Sequence, residues 1–96
     1  MEDRILTLHP EGKQGVNISK DKYDSMKQAI IDCLSRQEEL TFTQLADAVE
    51  VQLAGKFEGS ISWYCVTVKL DLEARHILER TSSSPQLIRL VNDVQG

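Results

Sequence analysis

One segment, residues 60–80 with the sequence SISWYCVTVKLDLEARHILER, constrains the fold of this chain more than any other. It predicts a helix over residues 60–75, begun by Ser60 as N-cap and followed at once by a strand. At about 100° per residue, one side of this helix carries Ile61, Tyr64, Cys65, Val68 and Leu72. The opposite side carries Trp63, Val66, Thr67, Leu70 and Ala74. The charged groups are expected on the flanks, Lys69 and Glu73 on one and Asp71 on the other, where Asp71 would repel phosphates. A helix that is apolar on two opposed sides needs two surfaces to bury it.

Two earlier helices are predicted to supply the first of these surfaces. The first spans residues 19–36, with Ser19 as N-cap and an apolar stripe of Tyr23, Met26, Ile30, Cys33 and Leu34. The second spans residues 43–54 with Thr41 or Thr43 as N-cap, where Thr41 and Gln44 fit a capping box and Gly55 suits the C-terminal turn. Its buried face is expected to hold Leu45, Ala48, Val49 and Leu53.

The two ends of the chain are predicted to be extended. Residues 1–18 form an N-terminal arm that is β-prone at 4–8 and rich in turn residues up to Asn17, as a short edge strand or an extended segment. Residues 77–91 predict a hairpin of two strands joined by Ser82-Ser83-Ser84-Pro85. His76 is expected in the tight turn that ends the third helix, and residues 92–96 as a frayed tail.

Three helices followed by a two-stranded hairpin are typical of the winged helix-turn-helix fold, an α/β (α+β) class, here as a single domain over residues 1–96. The sequence also resembles a small family of uncharacterised bacterial winged-helix proteins. The matching residues are Ile5-Leu6-Thr7-Leu8-His9-Pro10, Asn17-Ile18-Ser19-Lys20, Lys56-Phe57-Glu58-Gly59-Ser60, Trp63-Tyr64, Lys69-Leu70-Asp71-Leu72-Glu73-Ala74-Arg75 and Ile77-Leu78-Glu79-Arg80. The resemblance implies the winged-helix fold and self-association, and it brings no activity and no functional residues with it.

Composition narrows the function classes. Fifteen acidic against eleven basic residues give a net charge of −4, which counts against non-specific binding to nucleic acid. No apolar run approaches the roughly 18 residues of a membrane span, and the acidic start does not resemble a signal peptide. A cytoplasmic protein is therefore expected, with Cys33 and Cys65 as buried thiols. No grouping of residues resembles a catalytic, cofactor or metal site, so the chain is not expected to be an enzyme.

Two hypotheses for function follow from the third helix. In the first, Trp63, Val66, Thr67, Leu70 and Ala74 form a protein interface, with a homodimer as the simplest partner arrangement and an unidentified protein as another. In the second, a dimeric transcriptional regulator contacts DNA through the cations Lys69, Arg75, Arg80 and Arg89. Nucleic acid is disfavoured, because major-groove readout requires polar side chains where this helix is apolar. The arm or the hairpin folding back over Trp63 and Leu70 is the remaining alternative.

Overall fold

The computed structural model describes residues 3–91, which form three helices and two small antiparallel sheets in a mixed α+β arrangement. The elements in chain order are β1 (Arg4–Leu6), β2 (Asn17–Ser19), α1 (Lys20–Gln37), β3 (Glu39–Leu40), α2 (Phe42–Leu53), α3 (Ile61–Ala74), β4 (Leu78–Arg80) and β5 (Ile88–Leu90). The predicted tail at residues 92–96 lies outside the described residues. None of the helices described is both long and apolar enough to cross a lipid bilayer.

Each helix begins at a side chain that satisfies a free backbone N–H group, as the sequence predicts. The Ser19 hydroxyl accepts from the backbone N–H of Lys22 at the start of α1, and the Ser60 hydroxyl accepts from that of Trp63 at the start of α3. At α2, Thr41 and Gln44 form the predicted capping box, in which each side chain accepts from the other residue's backbone N–H. These three predicted caps are confirmed, and they fix where the helices begin.

The turn after α3 sets the direction of the chain that follows. His76 has a φ of 64°, the left-handed conformation predicted for it. In this turn the N–H of Ile77 donates to the carbonyl of Leu72 at 2.9 Å, and the N–H of His76 donates to that of Glu73 at 3.1 Å. These bonds satisfy carbonyls at the helix end and allow β4 to begin two residues later.

The core lies where the three helices meet the inner face of β4 and β5. Cys65, Val68 and Leu72 of α3 are fully buried against α1 and α2. The predicted apolar stripe of α1 is buried throughout. The buried apolar residues are Ile18, Tyr23, Met26, Ala29, Ile30, Cys33, Leu34, Leu45, Val49, Leu53, Cys65, Val68, Leu72, Leu78 and Ile88.

The C-terminal hairpin forms a three-stranded sheet with the strand that precedes α2. The order is β3-β5-β4, with Leu40 opposite Ile88 and Glu79 opposite Arg89. The short segment before α2 therefore pairs with the second strand of the hairpin. The two hairpin strands are shorter than the predicted ranges of 77–81 and 86–91.

The N-terminal arm is a hairpin, which the sequence did not predict. β1 pairs antiparallel with β2, and Ile5 lies opposite Ile18. Beyond the strands, the N–H of Thr7 donates to the carbonyl of Val16 at 2.8 Å. The sequence interpretation assigned the residues up to Asn17 to turns. It missed β2 because this strand has only three residues, the last of which, Ser19, is also the N-cap of α1.

Candidate interaction surface

The outer side of α3 is divided between solvent and the arm. Trp63 is 46% exposed and Val66 40% exposed, although both are large apolar side chains. Thr67, Leu70 and Ala74, further along the same side, are half-buried. All five residues predicted to form an interface therefore lie on one continuous side of α3, and the arm shields the C-terminal part of it.

A groove of about 160 Å³ runs between the arm and this side of α3. The helix contributes Trp63, Thr67 and Leu70 to its lining, and the arm contributes Thr7, Leu8, His9, Gln14, Gly15 and Val16. No Lys, Arg, Asp or Glu of residues 3–91 lines it. Leu8 and Val16 are themselves partly exposed, so the apolar surface continues from the helix onto the arm. We call the exposed side chains of Leu8, Val16, Trp63 and Val66 the arm–helix patch.

The indole of Trp63 is held by aromatic neighbours at the helix start. Its ring lies edge-on to Tyr64, with 4.9 Å between centroids and planes at 83°. Tyr64 in turn lies edge-on to Phe57 at 5.1 Å. Edge-to-face pairs of this kind are favourable beyond the burial of their area. The contact with Tyr64 therefore restricts the orientation of the exposed Trp63 ring.

The arm is fastened to α3 by Asp71, which is fully buried. Its Oδ1 accepts from the backbone N–H of Leu8 at 2.8 Å, and its Oδ2 accepts from the phenol of Tyr23. Arg75, one helical turn later, donates from Nε to both oxygens, at 3.0 and 2.8 Å. The sequence interpretation placed Asp71 at the exposed edge of α3, where it would repel phosphates. That placement was wrong, because the arm and Tyr23 enclose this edge.

Asp71 raises the pKa of two of its hydrogen-bond donors, Tyr23 and Arg75. Burial raises the pKa of the Tyr23 phenol, and the adjacent Asp71 carboxylate raises it further, so Tyr23 remains a hydrogen-bond donor. The hydrogen bond to Asp71 also raises the pKa of Arg75. A buried carboxylate with three donors of this kind is satisfied, whereas the same group without them would be strongly destabilising.

Lys69 and Glu73 form a second charged cluster on the other flank of α3. Lys69 Nζ lies 2.9 Å from Glu73 Oε2 and 5.5 Å from the centroid of the Phe42 ring. Arg80 of β4 approaches the same carboxylate oxygen at 3.5 Å. Both Lys69 and Glu73 are buried, although the sequence interpretation left them to the flanks as charged groups. Phe42 and Arg80, which belong to neighbouring elements, enclose this flank.

Arg89, the last of the four cations predicted for DNA contact, lies on β5 of the C-terminal sheet. It is 2.6 Å from Glu79 and 3.1 Å from Glu39, so it bridges the two strands that flank β5. Lys69, Arg75, Arg80 and Arg89 therefore each contact a carboxylate of the same chain. Lys69 and Arg80 share Glu73, whereas Arg75 pairs with Asp71 and Arg89 pairs with Glu39 and Glu79. The structure therefore divides the four cations among three ion-paired clusters and does not bring them into one basic surface. The hairpin tip holds Ser83, whose hydroxyl donates to the carbonyl of Pro85.

Two buried thiols and one wide surface concavity lie away from the outer side of α3. Residues 3–91 contain no group of three or more His, Cys, Asp or Glu side chains arranged to hold a metal ion. Cys33 and Cys65 are free, buried thiols, as the sequence predicted. Burial raises the pKa of Cys65 to about 11, so this thiol stays protonated and unreactive near neutral pH. A wide concavity, about 810 Å³, is an open surface between the end of α1 and the sheet, and its lining includes Glu38, Glu39, Glu79 and Arg89.

Sequence reasoning did not identify the residues that attach the arm. Asp71 stands between Leu70 and Leu72 and four residues before Arg75, a spacing that places the two charges together on a helix. An Asp between two leucines, with an Arg four residues later, was the available signal of a buried, paired carboxylate. Its two other partners, Tyr23 and the Leu8 amide, come from distant parts of the chain.

Comparison with known proteins yields one match. No curated protein matches this chain, and no solved structure matches it. A family model matches residues 4–88, which include the arm, all three helices and most of the C-terminal hairpin. The chain therefore belongs to the family of unknown function DUF6958.

Proposed function

We propose that this chain is a bacterial winged-helix protein without enzymatic activity that acts through protein–protein contact, as a homodimer formed by the outer side of α3. The order of three helices and a C-terminal hairpin supports the winged-helix assignment, as does pairing of the short strand before α2 with that hairpin. The sequence resemblance supports the bacterial origin. Two free, buried thiols agree with the reducing environment of a cytoplasm.

The observation that carries the proposal is the exposure of Trp63 and Val66 on a helix that already buries its opposite side in the core. Exposed apolar residues that stand singly need no explanation, but a continuous set of them marks an interaction site. With Leu8 and Val16 of the arm, the two residues form a continuous surface around the groove.

The size of this surface fits a small interface. The exposed parts of the four side chains amount to about 210 Å², taking roughly 200 Å² for a whole Trp and roughly 100 Å² for a whole Leu or Val. A standard interface contributes about 800 Å² per partner, of which somewhat more than half is apolar. The arm–helix patch therefore supplies about half of that apolar area, which corresponds to a weak dimer.

The same geometry disfavours DNA binding through α3 and the hairpin. Phosphate contact would require Lys69, Arg75, Arg80 and Arg89 to leave their carboxylates, and those carboxylates would then lie near the phosphates. The net charge of −4 opposes approach to a polyanion as well. We therefore expect no binding to random duplex DNA even at low salt, measured by fluorescence anisotropy. Binding that weakens steeply with added salt would favour the regulator hypothesis.

The test of the interface uses two matched substitutions. Val66→Glu places a charge on the outer side of α3, and Val51→Glu places the same charge on α2, where Val51 is 81% exposed. Sedimentation velocity should show that the wild type and Val51→Glu form dimers at high concentration, whereas Val66→Glu remains a monomer. A wild type that stays monomeric throughout would overturn self-association. A dimer that Val66→Glu does not weaken would overturn the assignment to α3.

A further inference from the structure

We infer that the Trp63 ring of one copy enters the arm–helix groove of a second copy, while the second copy's ring enters the groove of the first. This inference rests on the proposed homodimer. It adds that the N-terminal arm forms one wall of the binding site, so that α3 alone is not the interface. Three features of the groove lead to it.

The first feature is the volume of the groove. At about 160 Å³ it is smaller than the roughly 300–1,000 Å³ of small-molecule sites. An apolar cavity of about 150 Å³ is sufficient to hold a single benzene ring. The groove therefore has room for one aromatic or aliphatic side chain.

The second feature is the absence of charge from the lining. A two-fold interface places a surface against its own copy, so any charged group close to the axis faces a group of the same sign. Among the described residues, no Lys, Arg, Asp or Glu lines this groove, although the whole chain carries a net charge of −4. Its one titratable side chain is His9, and Lys13 lines the adjoining concavity. Two copies of this acidic protein can therefore approach at the groove without bringing carboxylates together.

The third feature is the position of Trp63, which is both a wall of the groove and a protruding ring. The protruding ring and the groove are adjacent on the surface. A two-fold axis near residue 63 therefore places each ring at the groove of the other copy. Its edge-on contact with Tyr64 already fixes the orientation of the ring, which lowers the entropy lost on association. Centrally placed tryptophans of this kind are common hot spots of interfaces.

Trp63 is the only tryptophan of the sequence, so its fluorescence reports on the inferred contact directly. Dilution of the dimer should move the emission to longer wavelength in parallel with the loss of dimer measured by sedimentation. Emission that is the same in monomer and dimer would overturn the inference. Emission at short wavelength in the dilute monomer would also overturn it, because the ring would then be covered within its own chain.

Variants of the arm separate the inference from the proposed function. Leu8→Ser removes a side chain that lines the groove, and Leu6→Ser is its control, because Leu6 is 58% exposed on the same arm but lies outside the groove. Leu8→Ser should raise the dimer dissociation constant roughly tenfold, as loss of one buried apolar contact does, and Leu6→Ser should leave it within roughly twofold. Trp63→Ala should raise it roughly 30-fold, the level that marks a hot spot.

The results with these variants distinguish failure of the inferred arm contact from failure of the proposed homodimer. If Val66→Glu abolishes the dimer while Leu8→Ser and Leu6→Ser have equally small effects, the homodimer stands and the inferred role of the arm is overturned. If the wild type never forms a dimer, the proposed function fails and the inference fails with it. Circular dichroism of each variant verifies that the helices remain folded, and both serine substitutions replace side chains that are already largely exposed.

Discussion

The backbone N–H of Leu8 donates a 2.8 Å hydrogen bond to the buried carboxylate of Asp71, which stands 63 positions later in the chain. This contact fastens the N-terminal hairpin to the third helix. The same carboxylate accepts from the Tyr23 phenol of α1 and the Arg75 guanidinium of α3. One side chain therefore joins the arm and two helices, and it holds open the groove between the arm and α3.

Asp71→Asn should destabilise the fold and loosen the arm. The amide removes the charge that pairs with Arg75 and places N–H donors opposite donors, a kind of change that costs about 3–5 kcal/mol at a buried pair. We expect the free energy of unfolding in urea to fall by about 3 kcal/mol, and the Leu8 amide to exchange its hydrogen faster in NMR measurements.

Asp24→Asn provides the control for this substitution. Asp24 pairs with Lys20 at 2.8 Å on the exposed surface of α1, with about half of each side chain in contact with solvent. Loss of such an exposed pair has little effect on stability, because solvent screens the two charges. Equal effects of the two substitutions on stability and on Leu8 exchange would show that Asp71 does not anchor the arm.

Gly15→Ala should open the arm hairpin. A Cβ at this position would lie 1.7 Å from the carbonyl oxygen of Thr7, so the two backbone segments must separate. We expect the hydrogen bond from the Thr7 N–H to the Val16 carbonyl to break. The measurement is the exchange rate of the Thr7 amide, together with circular dichroism to establish that the three helices persist.

Gly12→Ala is the matched control in the same loop. Nothing lies within 4 Å of a Cβ at Gly12, and its φ of 77° imposes only the strain of a left-handed residue, about 1–2 kcal/mol. The Thr7 amide should stay protected in this variant. If Gly15→Ala left that amide equally protected, the close approach of the two segments would not be a feature of the protein in solution.

Stability should decrease in alkaline solution because of Cys65. Burial raises the pKa of this thiol from about 9 to about 11. The unfolded chain releases the thiol proton first, so the stabilisation is complete below pH 9 and is lost as the pH rises to 11. Its full size is about 3 kcal/mol, since one pKa unit corresponds to about 1.4 kcal/mol. Burial also raises the pKa of Cys33, and Tyr23 contributes in the same direction above its ordinary pKa of 10.

Urea denaturation between pH 8 and pH 10 measures this effect before Tyr23 titrates. Cys65→Ala should lower stability at every pH because it leaves a cavity, but its stability should decline less steeply with pH than that of the wild type. The change in the free energy of unfolding per pH unit is therefore the quantity to compare between the two proteins. An unchanged slope in Cys65→Ala would contradict the raised pKa of this thiol.

The sequence alone determined the three helices, their N-caps and the two apolar sides of the third helix. These features depend on residues within a few positions of one another, such as Thr41 with Gln44 or Cys65 with Val68, so spacing along the chain is sufficient to predict them. The tight turn at His76 is likewise predictable from nearby residues, because it lies between the end of one helix and the start of one strand.

Only the tertiary structure decided what surrounds the charged residues of α3 and what the arm does. Helical spacing assigned Lys69, Asp71 and Glu73 to the flanks, but it could not show that Tyr23, the Leu8 amide and Arg80 enclose them. Those partners are brought close by packing of the helices and by the β1–β2 hairpin, whose second strand is too short to predict. Burial of a charge depends on such distant neighbours, so spacing along the chain could not indicate that the arm contributes Leu8 and Val16 to the arm–helix patch.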